Sequence, residues 1–215
     1  KARQARITST IQIECEQQQR LQIGHHTRGG SLRHGQAVAR QHFTFMEYAI
    51  EQIVRWYFTG EKAEAFWILA AGVVSLVGAL VLWFVAREPF ARGLAMALLI
   101  VAGLGLGVGG TVYFRSDAQS QQLIEQQRTS PALFAAEEGP RIRQVVGSFA
   151  QYRIGYAVAV LLALFFVFVM GKPSQHGFAV GLLLLAALGL AIDFFAERRA
   201  EQYLQALQTV GALPG

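Results

Sequence analysis

Ionisable side chains are scarce in this chain. Asp, Glu, Lys and Arg make up 15% of the 215 residues while 53% are hydrophobic, which is lean in charge for a water-soluble domain. Cys15 is the only cysteine, so neither an intrachain disulfide nor a cysteine metal cluster can form. No HExxH, P-loop or Ser/His/Asp order occurs. Past residue 45 the only histidine is His176, and a lone histidine in a turn makes a poor catalyst or ligand set. Catalysis or ion transport inside a bilayer usually leaves ionisable groups there, and the long apolar stretches hold almost none. These absences point away from an enzyme and set the expectation of no catalytic residue, no cofactor and no bound metal.

What the chain does have is four apolar blocks, at residues 66–86, 94–114, 155–170 and 178–195. A helix rises about 1.5 Å per residue and the hydrocarbon core is about 30 Å thick, so roughly 20 residues span it. The first two blocks fit outright. The third fits as residues 150–170 if Arg153 snorkels to the headgroups, and the fourth fits if Asp193 lies at the interface. The expected fold is an all-α integral membrane protein, a bundle of four transmembrane helices with amphipathic interfacial or cytoplasmic helices attached.

The blocks are not independent. The stretch 84–106 returns at 168–190, matching Phe84 with Phe168, Pro89 with Pro173, Gly93 with Gly177, Ala95 with Ala179 and Gly105 with Gly189. Leucine and alanine matches come cheaply in an apolar alphabet, but proline and glycine at one spacing in both turns do not. A shorter echo relates Ile50-Glu51-Gln52-Ile53-Val54 to Ile142-Arg143-Gln144-Val145-Val146, at an offset of 92 instead of 84. The pattern predicts two tandem copies of one hairpin. Residues 46–128 form the first copy, 129–140 a linker and 141–215 the second. Each copy has an amphipathic lead-in, two spans and a helical exit. Gly60 is expected to break the first lead-in, and Gly139-Pro140 to end a short helix begun at Ser130-Pro131.

Residues 1–45 are rich in Arg, Gln, His and Ser and carry seven basic against two acidic residues. All the net charge lies there, because the rest holds twelve of each sign. A nucleic-acid role would rest on this tail alone, and none is expected. The first methionine is Met46. Three readings remain open: an extension upstream of a natural start at Met46, a disordered cytoplasmic tail, or an Arg-rich transit-type peptide. His25, His26, His34 and His42 would have no fixed second shell in such a tail, which argues against a metal.

Small residues mark the candidate helix contacts. Ala71, Ser75 and Ala79 stand four apart in the first span. The pairs Gly103/Gly107 and Gly105/Gly109 are both GxxxG spacings in the second, a pattern that favours close helix approach. A bulky side chain at Gly103 or Gly107 is therefore expected to disrupt packing. Gly105, Gly107 and Gly110 also fit GxGxxG, but they lie inside a membrane run with no preceding strand and no helix start to hold a phosphate. Asp193 is the one acid within an apolar block. With Arg198 and Arg199 about a turn away it reads first as an interfacial ion pair, and as a proton or ion site second.

Counting from Met46, nine Lys/Arg fall on the side of the termini and middle loop and three on the side of the two short turns. The positive-inside rule then places both termini of a multi-pass protein in the cytoplasm; that the membrane is a bacterial inner membrane is a prior expectation and does not come from the charge count. In span number, size and near-absence of outer mass the chain resembles small multi-span immunity proteins that protect bacteria from membrane-directed toxins, such as those delivered by type VI secretion. The resemblance covers architecture and implies a non-enzymatic protein that acts by binding another membrane component. Expected partners are the lipid bilayer, another membrane protein and, as a homo-oligomer, a second copy. A small transporter or channel component and a structural membrane scaffold are the alternatives.

Overall fold

A computed structural model describes the backbone of residues 32–214 and the side chains of residues 45–214. Two units divide the chain, Lys1–Glu51 and Gln52–Gly215. Of the first, helical backbone is described from Leu32 onward; the readings of residues 1–31 and of the His25, His26, His34 and His42 side chains fall outside the described residues. The side-chain contacts discussed below all lie in the second unit.

The protein is an all-α membrane protein. Among the described residues there is no strand, and four helices are long and apolar enough to cross a bilayer. Their α-helical segments are labelled α1 (Leu32–Val81, prolonged by a π turn Leu82–Ala86), α2 (Pro89–Leu104), α3 (Gly110–Thr129), α4 (Pro131–Phe168) and α5 (Pro173–Thr209). A second π turn, Gly105–Gly109, joins α2 to α3, so these two run on as a single crossing helix.

The two turns that join paired spans are short. After the first π turn, Arg87 takes a left-handed conformation (φ 54°) and its Nε donates to the Phe84 carbonyl at 3.1 Å. Glu88 is extended and Pro89 opens α2. Lys172 is likewise extended and Pro173 opens α5. Proline has no N–H to lose in a first helical turn and forces an extended residue before it, so the matched prolines fix where each helix begins.

Burial is inverted between the two ends of the helices. In the apolar stretches the buried residues are mostly small, including Ala79, Ala91, Ala95, Ala97, Ala102, Ala163, Ala179 and Ala186, while Val74, Val85, Phe84, Leu161 and Phe168 are exposed. This pattern is stable in lipid, where apolar side chains gain nothing by turning inward and helices associate through small residues. At the other end the largest fully buried side chains are Tyr203, Phe134, Ile142, Leu207, Glu138, Val54 and Ser116, all outside the four apolar blocks. That end is packed as a water-soluble core. At 37 residues, α5 is about 55 Å long, well beyond what the hydrocarbon needs. Exposed Trp67, Phe114, Tyr152, Phe194 and Phe195 mark the change from one regime to the other, the level where aromatic rings settle.

Two expected breaks are absent. Gly60 lies inside an unbroken α1, and Pro140 lies inside an unbroken α4. Glycine costs a helix interior about 1 kcal/mol, and tertiary contact outweighs that here: a Cβ on Gly60 would stand 2.8 Å from Arg199 Cδ, so the glycine makes room for that side chain. Pro140 forfeits one hydrogen bond, yet its neighbours Glu138, Gly139 and Ile142 are all buried. The amphipathic pieces thus belong to the same unbroken helices as the spans and are not separate interfacial helices.

Two crossings position the spans. Gly72 on α1 meets Gly105 and Leu106 backbone to backbone, with an added Cβ only 2.9 Å from Leu106 N. At the turn end, α2 and α5 cross at Gly93 and Gly177. A Cβ on Gly93 would fall 1.7 Å from Ser174 O, and one on Gly177 would fall 2.0 Å from Phe90 O. The contact is reciprocal: Ser174 stands 84 residues after Phe90, as Gly177 does after Gly93. Ala97 and Gly181, again 84 apart, meet each other next along the crossing.

Candidate functional site

Three places could carry function: the charged core of the polar end, the glycine faces of the second span, and Asp193.

The polar end is centred on Glu138, whose side chain is 0% exposed. Its Oε2 accepts from Arg141 Nε at 2.5 Å, and its Oε1 accepts from Arg141 Nη2 at 2.5 Å and from the Tyr203 hydroxyl at 2.8 Å. A buried carboxylate persists only with its lone pairs answered, and these three donors answer them. Tyr203 stacks on Tyr57 with ring centroids 4.3 Å apart. The Arg141 guanidinium lies 5.8 Å over the Phe58 ring, and that of Arg199 lies 5.7 Å over Tyr57. Arg199 also forks onto Glu64, with Nη2 donating to Oε2 at 2.6 Å.

Further bridges close a ring around the four helices. Lys62 pairs with Asp117, and Ser116 donates to Glu61 at 3.3 Å, tying α1 to α3. Gln126 donates to Glu137 at 2.7 Å, tying α3 to α4. Arg153 reaches both oxygens of Glu197 at 2.9 and 3.1 Å, tying α4 to α5. The Arg199–Glu64 fork returns from α5 to α1. The exposed members of this ring contribute little each; the Glu138 centre is the part whose loss would be felt.

Burial pushes the Tyr57 phenol up to about 12, with nearby Glu61 adding to the effect. Tyr203 is held well above the ordinary phenol range by burial and by Glu138. Burial alone would lower Arg141, but the hydrogen bond and charge of Glu138 outweigh it and raise the guanidinium. Raised folded-state phenols stabilise the fold fully below their unfolded value, about 10, and that contribution is lost as pH rises through the folded value. Helicity in detergent is therefore expected to fall between about pH 10 and pH 12. Tyr57→Phe should weaken this alkaline transition when followed by circular dichroism.

The two interleaved glycine pairs separate. Gly105 and Gly109 face α1, where added Cβ atoms would stand 2.8 Å from Gly72 Cα and 2.8 Å from Leu69 N. Gly103 and Gly107 have nothing within 4 Å of an added Cβ. The expectation that bulk at Gly103 or Gly107 breaks packing within the chain is therefore corrected; that role belongs to Gly105 and Gly109. In the stripe of α1, Ala79 is buried while Ala71 and Ser75 are half-buried.

The expected ion pair of Asp193 with Arg198 and Arg199 is also corrected. Arg199 is held by Glu64, Arg198 lies 4.3 Å over the Phe194 ring, and the side-chain hydrogen bond of Asp193 is with Tyr156. Sequence reasoning missed Glu138, Tyr57, Tyr203 and Tyr156 as polar partners. For Glu138 a signal existed: Arg141 follows at i+3, and the chain's last helix places Ala200, Tyr203 and Leu207 on one face. Among the described residues no group of three His, Cys, Asp or Glu is placed to hold a metal.

Comparisons of the chain with family models, with curated proteins and with solved structures give no match.

Proposed function

We propose that this chain is a non-enzymatic protein of a bacterial inner membrane that acts by binding another membrane protein through the exposed face of its second span. The observation that carries the reading is the open pair Gly103 and Gly107. Four residues apart, with no other described part of the chain within 4 Å of an added Cβ, they form a flat strip between exposed Leu99, Ile100, Leu104 and Val108. A strip of this kind lets a partner helix come close enough for backbone contact, the main attraction available in lipid. The polar end supports the same reading: its buried carboxylate is fully engaged, which suits a rigid base better than a reaction centre.

The internal duplication belongs to this proposal. The reciprocal contacts of Gly93 and Gly177, at positions that correspond in the repeat, are what two copies of one hairpin make when packed about an axis along the membrane normal. On this reading both hairpins share one orientation, with the charged end and both termini in the cytoplasm. The partner of an immunity protein would be a membrane-directed toxin or its target.

A photo-crosslinking residue at Leu104, in native membranes, is expected to capture a protein partner, and Gly107→Leu to abolish the adduct. Gly107→Leu should leave the melting temperature in detergent unchanged, while Gly105→Leu lowers it, since overpacking costs about 1–3 kcal/mol or more. Adducts with lipid alone, or capture that survives Gly107→Leu, would sink the reading.

A further inference from the structure

Between α4 and α5 lies one carboxyl group that the ring of bridges does not use. The Tyr156 ring reaches from α4 across the bare backbone of α5 at Gly189, where an added Cβ would stand 2.3 Å from Tyr156 Cε1 and 2.8 Å from its Oη. The hydroxyl then hydrogen-bonds to Asp193, one turn further on. The corresponding glycine of the first hairpin, Gly105, takes the α1 backbone against it instead. The second hairpin has filled that contact with a polar pair.

Asp193 is unevenly satisfied. Its Oδ2 is shut away and has no hydrogen-bond partner, so Oδ1 is the atom facing Tyr156. Among the described residues no cation answers it. Arg153 is bound to Glu197, Arg199 to Glu64, and Arg198 lies over Phe194. Tyr152, one turn before Tyr156 on α4, is near enough to act on it. The charged groups near enough to act on Asp193 are Glu197 on its own helix and Glu64 on α1, both carboxylates. A carboxylate here would leave one oxygen desolvated and unpaired beside two like charges, at the edge of an apolar span. A neutral acid avoids the like-charge repulsion and most of the desolvation cost.

We propose that Asp193 is a proton-binding site. At neutral pH its Oδ2 carries a proton, while the Tyr156 hydroxyl donates to Oδ1. Release of that proton places a third negative charge beside Glu197 and Glu64. Water is then drawn between α4 and α5 at the Gly189 contact, and the helix pair loosens. The site couples the proton concentration at the polar end to the packing of the second hairpin.

The chain offers a clean test because its only aspartates are Asp117 and Asp193. Labelling with aspartate carrying carbon-13 in the side-chain carboxyl gives two infrared signals in lipid nanodiscs. At neutral pH one should be ionised, from exposed Asp117 paired with Lys62, and one protonated. Asp193→Asn should remove the protonated signal. Tyr156→Phe should keep it and raise its carbonyl frequency, because Oδ1 loses its donor. Thermal melts should weaken with rising pH in the unaltered chain more than in Asp193→Asn. Two ionised carboxyls at neutral pH in the unaltered chain would overturn the proposal, and this readout needs no variant to fold. Identical pH dependence of the two melts would overturn the coupling.

Discussion

Glu138→Gln is expected to lower the stability of the folded chain by about 3 kcal/mol, read as an earlier loss of helicity when SDS is titrated into mixed micelles. The change keeps the shape of the side chain and removes its charge. Arg141 then has a buried fork with no anion to meet. Breaking a buried pair from one side costs about 3–5 kcal/mol. The lower end applies because the Arg141 side chain is 30% exposed and can turn part of its guanidinium to water. The exposed bridge gives the comparison: Asp117, 65% exposed, should lose little as Asp117→Asn, because water screens a surface pair. Removing both charges of the centre at once, as Glu138→Leu with Arg141→Leu, should recover much of the loss. What remains is the Tyr203 hydroxyl without an acceptor, about 1–3 kcal/mol, and Tyr203→Phe should return part of that. If Glu138→Gln costs no more than Asp117→Asn, the charged centre does not hold the polar end together.

The size of that effect follows from where large side chains are buried. The spans meet through alanine and glycine and leave their big apolar groups to lipid. Most of the conventional core lies at the polar end, around one carboxylate. Sequence reading recovers the first half of this and not the second. Four long apolar runs announce spans because lipid imposes a single rule, that the backbone bonds to itself and the side chains are greasy. The matched prolines announce the starts of α2 and α5 for an equally local reason. Gly60 misleads because its local cost is small, about 1 kcal/mol, and the distant Arg199 side chain decides the outcome; the larger cost of Pro140, about 3 kcal/mol, is borne inside a helix whose neighbouring residues are buried. Which glycine pair faces inward is invisible for another reason: Leu104, Leu106 and Val108 make the span apolar all round, so no amphipathic face orients it. Spacing sets Asp193 beside its nearest cations in sequence, whereas Glu64, 135 residues from Arg199, takes the arginine away. Long-range competition for a cation cannot be read from spacing along one helix.

At the turn end the strongest expected effect comes from adding a single methyl group. Gly177→Ala would place its Cβ 2.0 Å from the Phe90 carbonyl oxygen, and Gly93→Ala would place one 1.7 Å from that of Ser174. Both obstacles are backbone, so no side chain can swing aside. The helices must part along the whole crossing, which also separates Ala97 from Gly181. Each alanine is expected to cost about 3 kcal/mol, the upper end for overpacking. By contrast Gly155, with nothing within 4 Å, should accept alanine and gain up to about 1 kcal/mol of helix propensity. The reciprocity makes the double variant informative. Once one methyl has separated α2 from α5, the second finds the space already open, so Gly93→Ala with Gly177→Ala should cost little more than either alone. Contacts that share a backbone shift couple in this way, whereas independent sites add. SDS titration of the two single variants and the double gives the coupling directly. Full additivity would mean that the two glycines do not lie in one shared crossing, and the argument for two hairpins packed about a common axis would lose its structural support.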